Sequence, residues 1–188
     1  MMNNLVRIAA GIDTAPLLLA IARQPGLWNR HKVRKTAPGT PHSDMSDIWL
    51  RYNDEKPYKA AGDYTGFNDA HDAIFYPEWY MLPQARPIVF GLMARVEGVR
   101  LGGVLITKIP AGGRIEPHAD EGWHAEHFNT KLYVVLQSNP MCWNRVEDER
   151  VVMAPGEVWY FDNTKEHEVA NEGPEDRITL ITCIRCER

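Results

Sequence analysis

The stretch LGGVLITKIPAGGRIEPHAD, Leu101 to Asp120, changes the texture of the chain. From here onward, short segments rich in Val, Ile, Thr, Tyr and Trp are cut by Gly, Pro and Asn, the pattern of strands joined by turns. Strands are expected at LGGVLITKI, RIEPHAD, TKLYVVLQ, CWNRVE, RVVMA, EVWYFD, HEVANE and RITLITCIR. That many strands in roughly ninety residues suit a jelly roll, whose two Greek keys form a double sheet with an open mouth. The fold class expected is mainly β with flanking helices.

The first hundred residues read differently. Asp13 and Thr14 stand where an N-cap would, Pro16 fits a first helical turn, and Leu17 to Arg23 follows as a short helix stopped by Pro25 and Gly26. Lys32 to Ser46, rich in Pro, Gly, Thr and Ser, is expected as a loop, and DIWLRY, Asp47 to Tyr52, as a strand. A second helix is expected from Leu82 or Pro83 to Glu97, with Ile88, Leu92 and Val96 on one face and Gly98 as its stop. The chain is expected to form one domain: 101–188 as the β core, and 1–100 as a cover of helices and loops over one outer face and part of one edge.

Composition narrows the partners. A formal net charge of -4, with 44% hydrophobic and 24% charged residues, argues against a mainly electrostatic grip on nucleic acid or an anionic membrane. No run approaches the ~18 apolar residues that span a bilayer, and the apolar stretch Ala15 to Ala22 lacks the flanks of a secretory signal. Cys142, Cys183 and Cys186 make no disulfide framework. Cys183 and Cys186 end a β-branched run without a second pair, which favours strand packing over zinc. A cytoplasmic protein acting on a small-molecule or peptide substrate is expected, with the oligomeric state left open.

Within EPHAD, period-2 alternation points His118 and Asp120 to one side of a strand, about 7 Å apart along the backbone. Two histidines and a carboxylate occupy one face of an octahedral ion and leave the rest open, as in non-haem Fe(II) oxygenases. His124, His127 and His167 are the downstream choices for the missing histidine. His167 opens a late strand, which in a rolled double sheet lies beside an early one, whereas His124 and His127 fall in a loop; His167 is therefore the expected third ligand. Further on, Arg177 and Thr179 share a strand face, a planar fork beside a hydroxyl that could hold the far carboxylate of a dicarboxylic acid.

This set, with Arg177-x-Thr179 following His167, resembles the Fe(II)- and 2-oxoglutarate-dependent dioxygenases, which are built on a double-stranded β-helix, a cupin-like jelly roll. GGVLITKIPAGGRIEPHAD further resembles the aspartyl/asparaginyl β-hydroxylase group, and the likeness runs from about Leu101 to Arg185. The resemblance implies Fe(II), 2-oxoglutarate as cosubstrate and dioxygen, with hydroxylation of a C–H bond on an amino acid or peptide side chain. The best-known members of that group lack the metal-binding carboxylate. Asp120 supplies it here, as in bacterial amino-acid hydroxylases of similar fold, so peptide aspartate is not the implied substrate. By the same resemblance, Lys131 and Tyr133, alternating in KLYVV, become candidates to help grip 2-oxoglutarate.

Substrate contacts are expected from Trp123 and His124, just past the metal-binding strand, and from Arg51, a charge within an otherwise apolar strand. Core packing is expected to account for most of the aromatics Trp49, Tyr52, Tyr76, Trp79 and Tyr80. Two rivals stand beside the oxygenase. One is a cupin-type isomerase or small-acid binding protein that does not use 2-oxoglutarate, because APGEVWYFDNTKEHEVAN resembles the second cupin motif, although His-x-Asp stands where cupins carry His-x-His. The other is a metal-free binding module. A zinc hydrolase is disfavoured, since HAEH lacks the His-Glu-x-x-His spacing.

Overall fold

The structure, a computed structural model, describes residues 4–187. In chain order the first half contains β1 Leu5–Ala9, α1 Ala15–Ala22, α2 Val33–Thr36, β2 Ser46–Tyr52, α3 Lys56–Ala61, β3 Ile74–Phe75, α4 Pro77–Met81 and α5 Ala85–Arg95. The second half contains β4 Gly98–Ile109, β5 Arg114–His118, α6 Trp123–His127, β6 Thr130–Gln137, β7 Cys142–Val146 and β8 Glu149–Val151. It closes with β9 Val158–Phe161, β10 His167–Asn171 and β11 Arg177–Cys186.

The strands form two antiparallel sheets, one ordered β1-β9-β6-β11-β4-β2-β3 and the other β5-β10-β7-β8. Consecutive strands of the second half thus alternate between sheets, except that β7 and β8 pair as a hairpin. Such alternation rolls the chain into a double-stranded β-helix, with the expected jelly roll at residues 98–186. The first-half strands β1, β2 and β3 extend the larger sheet at its two ends.

Because side chains alternate across a strand, the larger sheet serves two cores at once. Ile48, Leu50, Val104, Ile106, Leu132, Val134 and Leu180 point outward and are covered by Leu17 and Ile21 of α1 and Val89 and Leu92 of α5. Their neighbours Tyr133, Val135, Ile181 and Cys183 point inward, against Val146, Met153 and Phe161. The charged and hydroxyl positions on this inward register, Asp47, Thr107, Arg177 and Thr179, are all buried.

Glycine lets one helix approach the barrel closely. A Cβ on Gly102 of β4 would stand 2.7 Å from ring carbons of Phe128, and one on Gly103 would stand 3.3 Å from His124 Nε2. The residue at the start of α6, Gly122, has φ 82°, a backbone region that penalises any side chain.

Most expected elements are present, with corrections at the edges. The strand expected through RIEPHAD stops at His118, and the loop expected at His124 and His127 is the helix α6. The segment Lys32–Ser46 contains the short helix α2. β1, α3, β3 and α4 have no counterpart among the expected elements.

Candidate metal centre and its cavity

His118 ends β5 and His167 begins β10, and the two are register partners across those strands. Asp120 joins them although it lies past the end of β5, so strand alternation is not what positions it. Instead its backbone N–H donates to the Asn163 carbonyl at 2.8 Å, and the Asn163 amide donates to Asp120 Oδ2 at 2.9 Å. One ligand atom from each of His118, Asp120 and His167 lies within 4.8 Å of the others, and among the described residues this is the group of three so placed.

Backbone carbonyls set the imidazole tautomers. His118 Nδ1 lies 2.7 Å from the Glu116 carbonyl and His167 Nδ1 lies 2.9 Å from the Lys165 carbonyl. A carbonyl can only accept, so each Nδ1 carries the proton and each Nε2 keeps its lone pair for an ion. His118 Nε2 stands 3.6 Å from Asp120 Oδ1, while Oδ2 is taken by Lys131 and Asn163.

The electrostatics keep these groups in their ligating forms. Burial pushes the His118 imidazole down and the His167 imidazole down to about 4, Lys131 adding to both. Burial by itself raises the Asp120 carboxyl, but the Lys131 ammonium and His167 outweigh it and hold the group well below the carboxylate range. Burial likewise opposes charge on Lys131, yet Asp120 holds its ammonium above the ordinary lysine value. At neutral pH the centre offers two neutral imidazoles and one carboxylate, a donor set that fits Fe(II) with positions left open.

Deeper in the barrel, Arg177 is 2% exposed and donates to Asn144 Oδ1 at 3.0 Å. It has no carboxylate partner among the described residues. Thr179 Oγ1, two positions along the same strand face, is buried with no hydrogen-bond partner. A buried guanidinium without an anionic partner is costly, which is the condition a ligand carboxylate relieves. Tyr133 is electrostatically coupled to Lys131, Arg177 and Asp120, so both ends of the site share one stretch of the inward sheet face. Its ring packs 4.4 Å from Phe161 as part of the core.

A cavity of about 340 Å³ opens over the metal group. Of the expected substrate contacts, His124 lines it, whereas Trp123 and Arg51 do not. Trp123 stacks on His127 at 4.7 Å, and Arg51 lies over the Phe75 ring at 4.6 Å with its Nε donating to the Leu101 carbonyl. Lys131 also lines the cavity, but the structure pairs it with Asp120.

The roof is the segment expected only as a loop. Arg34 and His42 line the cavity, and the segment is fastened by Arg34 to Asp47 at 3.1 Å, by Glu116 N–H to the Pro41 carbonyl at 3.1 Å and by Arg114 N–H to Asp44 Oδ2 at 3.2 Å. Sequence reasoning missed Arg34, His42 and Asn163, because no local spacing ties them to His118. Among the described residues no helix is long and apolar enough to cross a membrane.

A double-stranded β-helix with two imidazoles and a carboxylate at its mouth defines the class. The chain belongs to the aspartyl/asparaginyl β-hydroxylase family, whose model matches residues 79–186. Over 76 residues it is 33% identical to an L-proline cis-4-hydroxylase of Rhizobium meliloti (strain 1021), a match spanning 40% of this chain and only 27% of that protein. Its fold is similar to that of a viral collagen prolyl hydroxylase from Paramecium bursaria Chlorella virus-1, with TM-score 0.57 and 10% identity over 98% of this chain and 97% of that one. A 2OG-Fe(II) oxygenase family oxidoreductase from Burkholderia pseudomallei gives TM-score 0.55 and 14% identity, over 97% and 84%. At these identities the two structures speak for the fold.

Proposed function

We propose that this chain is an Fe(II)- and 2-oxoglutarate-dependent dioxygenase that hydroxylates a C–H bond of an amino acid or peptide side chain. The observation that carries the reading is the convergence of His118, Asp120 and His167 within 4.8 Å at the mouth of a barrel whose buried Arg177 lacks a carboxylate partner among the described residues. Family membership and the proline hydroxylase relative support it.

An Fe(II) ion would be held by His118 and His167 through Nε2 and by the Asp120 carboxylate. Lys131 and Asn163 restrain Asp120 through its other oxygen, which fixes the carboxylate's direction. Arg177 and Thr179 hold the far carboxylate of 2-oxoglutarate by a charge-assisted fork and a hydroxyl, with Tyr133 packed beside them. Bound there, Fe(II) with 2-oxoglutarate and dioxygen would supply oxidative hydroxylation, with succinate and carbon dioxide as co-products. The roof segment and α6 wall the cavity, and His124 contacts the substrate.

The chain acts as one oxygenase domain in which the described residues up to 100 cover the outer sheet face and complete the cavity. A cytoplasmic setting belongs to the same reading, supported by three free cysteines. The test is succinate release with Fe(II), ascorbate and 2-oxoglutarate over free amino acids and peptides, L-proline first because of the relative. Iron-dependent succinate that rises with one compound is expected. Purified protein that binds no stoichiometric Fe(II) and releases no succinate with any compound would overturn the proposal.

A further inference from the structure

The cavity holds a guanidinium that the metal centre does not use. Arg34, in α2 of the roof, has a side chain only 16% exposed and lines the same cavity as His118, Asp120 and Lys131. One nitrogen donates to Asp47, and among the described residues its other N–H groups have no protein acceptor. That single ion pair fixes the stem of the fork and leaves donors over. His42 lines the cavity from the same roof, its Nδ1 buried without a hydrogen-bond partner.

The two arginines differ in place. Arg177 starts β11 inside the barrel and does not line the open cavity, whereas Arg34 lines it from the roof. Two fixed forks at two depths suit two different acids. A cavity of about 340 Å³ is near the lower end for small-molecule sites, ~300–1,000 Å³, which favours a compact substrate over a polypeptide threaded through it.

We propose that Arg34 is the specificity-determining residue that binds the substrate's carboxylate, so that the enzyme takes free amino acids in preference to residues inside a peptide chain. The inference rests on the oxygenase reading above. It makes Asp47 a positioning residue that holds the fork, and His42 a neighbouring polar contact for the same substrate end.

The experiment compares free L-amino acids with their carboxamides and with N-acetyl-amino acid N-methylamides in the iron-dependent succinate assay, using the intact chain. Wild type is expected to favour the free acid over its carboxamide by roughly 10- to 100-fold in kcat/KM, the range for a hydrogen bond to a charged group. Arg34→Gln should raise KM for the free acid by a similar factor and erase the acid-over-amide preference. KM for 2-oxoglutarate should stay within about 3-fold, and Arg34→Lys, which keeps the charge but not the fork, should recover part of the loss. A wild type that uses carboxamides or N-methylamides as well as free acids overturns the inference even if Arg34→Gln fails to fold. So does an Arg34→Gln enzyme whose KM rises for 2-oxoglutarate and not for the amino acid. A wild type without any iron-dependent succinate release would instead overturn the oxygenase reading itself.

Discussion

His118 and His167 face one another across β5 and β10 as register partners, their ring centroids 4.3 Å apart. Each is fixed at Nδ1 by a carbonyl two residues earlier in its own chain segment, so the pair is pre-organised from both sides. His118→Ala, Asp120→Ala and His167→Ala are each expected to abolish iron-dependent succinate formation while the far-UV spectrum stays unchanged. Fe(II) titration of the three variants checks this; wild-type binding in any one removes that residue from the ligand set.

Arg177→Ala should raise the 2-oxoglutarate requirement by roughly 10- to 100-fold and leave Fe(II) affinity little changed, because on the proposed reading the guanidinium, held by Asn144 Oδ1 in the protein, would bind the cosubstrate's carboxylate and not the ion. Thr179→Val should give a smaller rise. Steady-state kinetics against 2-oxoglutarate separates the two; equal KM values for wild type and Arg177→Ala would reject the assigned role.

Lys131→Met should weaken Fe(II) binding by roughly 10- to 100-fold, as loss of a group that orients a ligand does. It also leaves Asp120 without its partly buried cation, which destabilises the apoprotein by about 1.5–3 kcal/mol, the range for a hydrogen bond to a charged group. Urea unfolding with and without Fe(II) measures both effects, and a variant as stable as wild type in the apo form would contradict the ion pair.

The apoprotein should lose stability in weak acid. Burial holds His124 and His167 down at about 4 and His42 at about 2, each below the unfolded value of 6.5. Each group therefore binds its proton more readily when unfolded, so its contribution is present above pH 6.5 and drains away as pH falls toward the folded value. The slope is ~1.4 kcal/mol per pH unit for each group. Asp120, held low, loses its contribution only below the unfolded carboxylate range, outside this window. Urea midpoints between pH 7 and 4.5 should fall for wild type and fall less steeply for His124→Gln; parallel slopes would refute the assignment.

Gly102→Val should unfold or loosen α6, since even a Cβ would stand 2.7 Å from the Phe128 ring, which is itself 3% exposed and has little room to retreat. Thermal melting is expected to show a loss of roughly 1–3 kcal/mol or more. A Gly102→Val protein that melts like wild type would mean that the helix is not held against β4.

Much of this protein is written locally. Strand alternation put Arg177 with Thr179, and Lys131 with Tyr133, on shared faces, and all four lie on the inward face of the larger sheet, because a period of two survives any tertiary arrangement. The same argument failed for Asp120. The strand ends at His118, and what holds Asp120 in place is Asn163, a residue no spacing connects to it. Lys131 was expected to grip 2-oxoglutarate, whereas the structure pairs it with Asp120, since a partly buried ammonium takes whichever carboxylate the fold brings near.

The sequence by itself determined the β-rich second half, the outward and inward faces of its strands, and the residue types of the candidate metal centre, all of which follow from short-range periodicity and side-chain chemistry. Only the tertiary structure decided that a Pro- and Gly-rich segment would become a roof carrying Arg34 and His42, and that Arg51 and Trp123 would stand apart from the cavity. The reason is physical: which face of a loop or short helix meets a distant strand depends on long-range contacts such as Arg34 to Asp47 and Glu116 to Pro41, and such pairings leave no periodic trace in the chain.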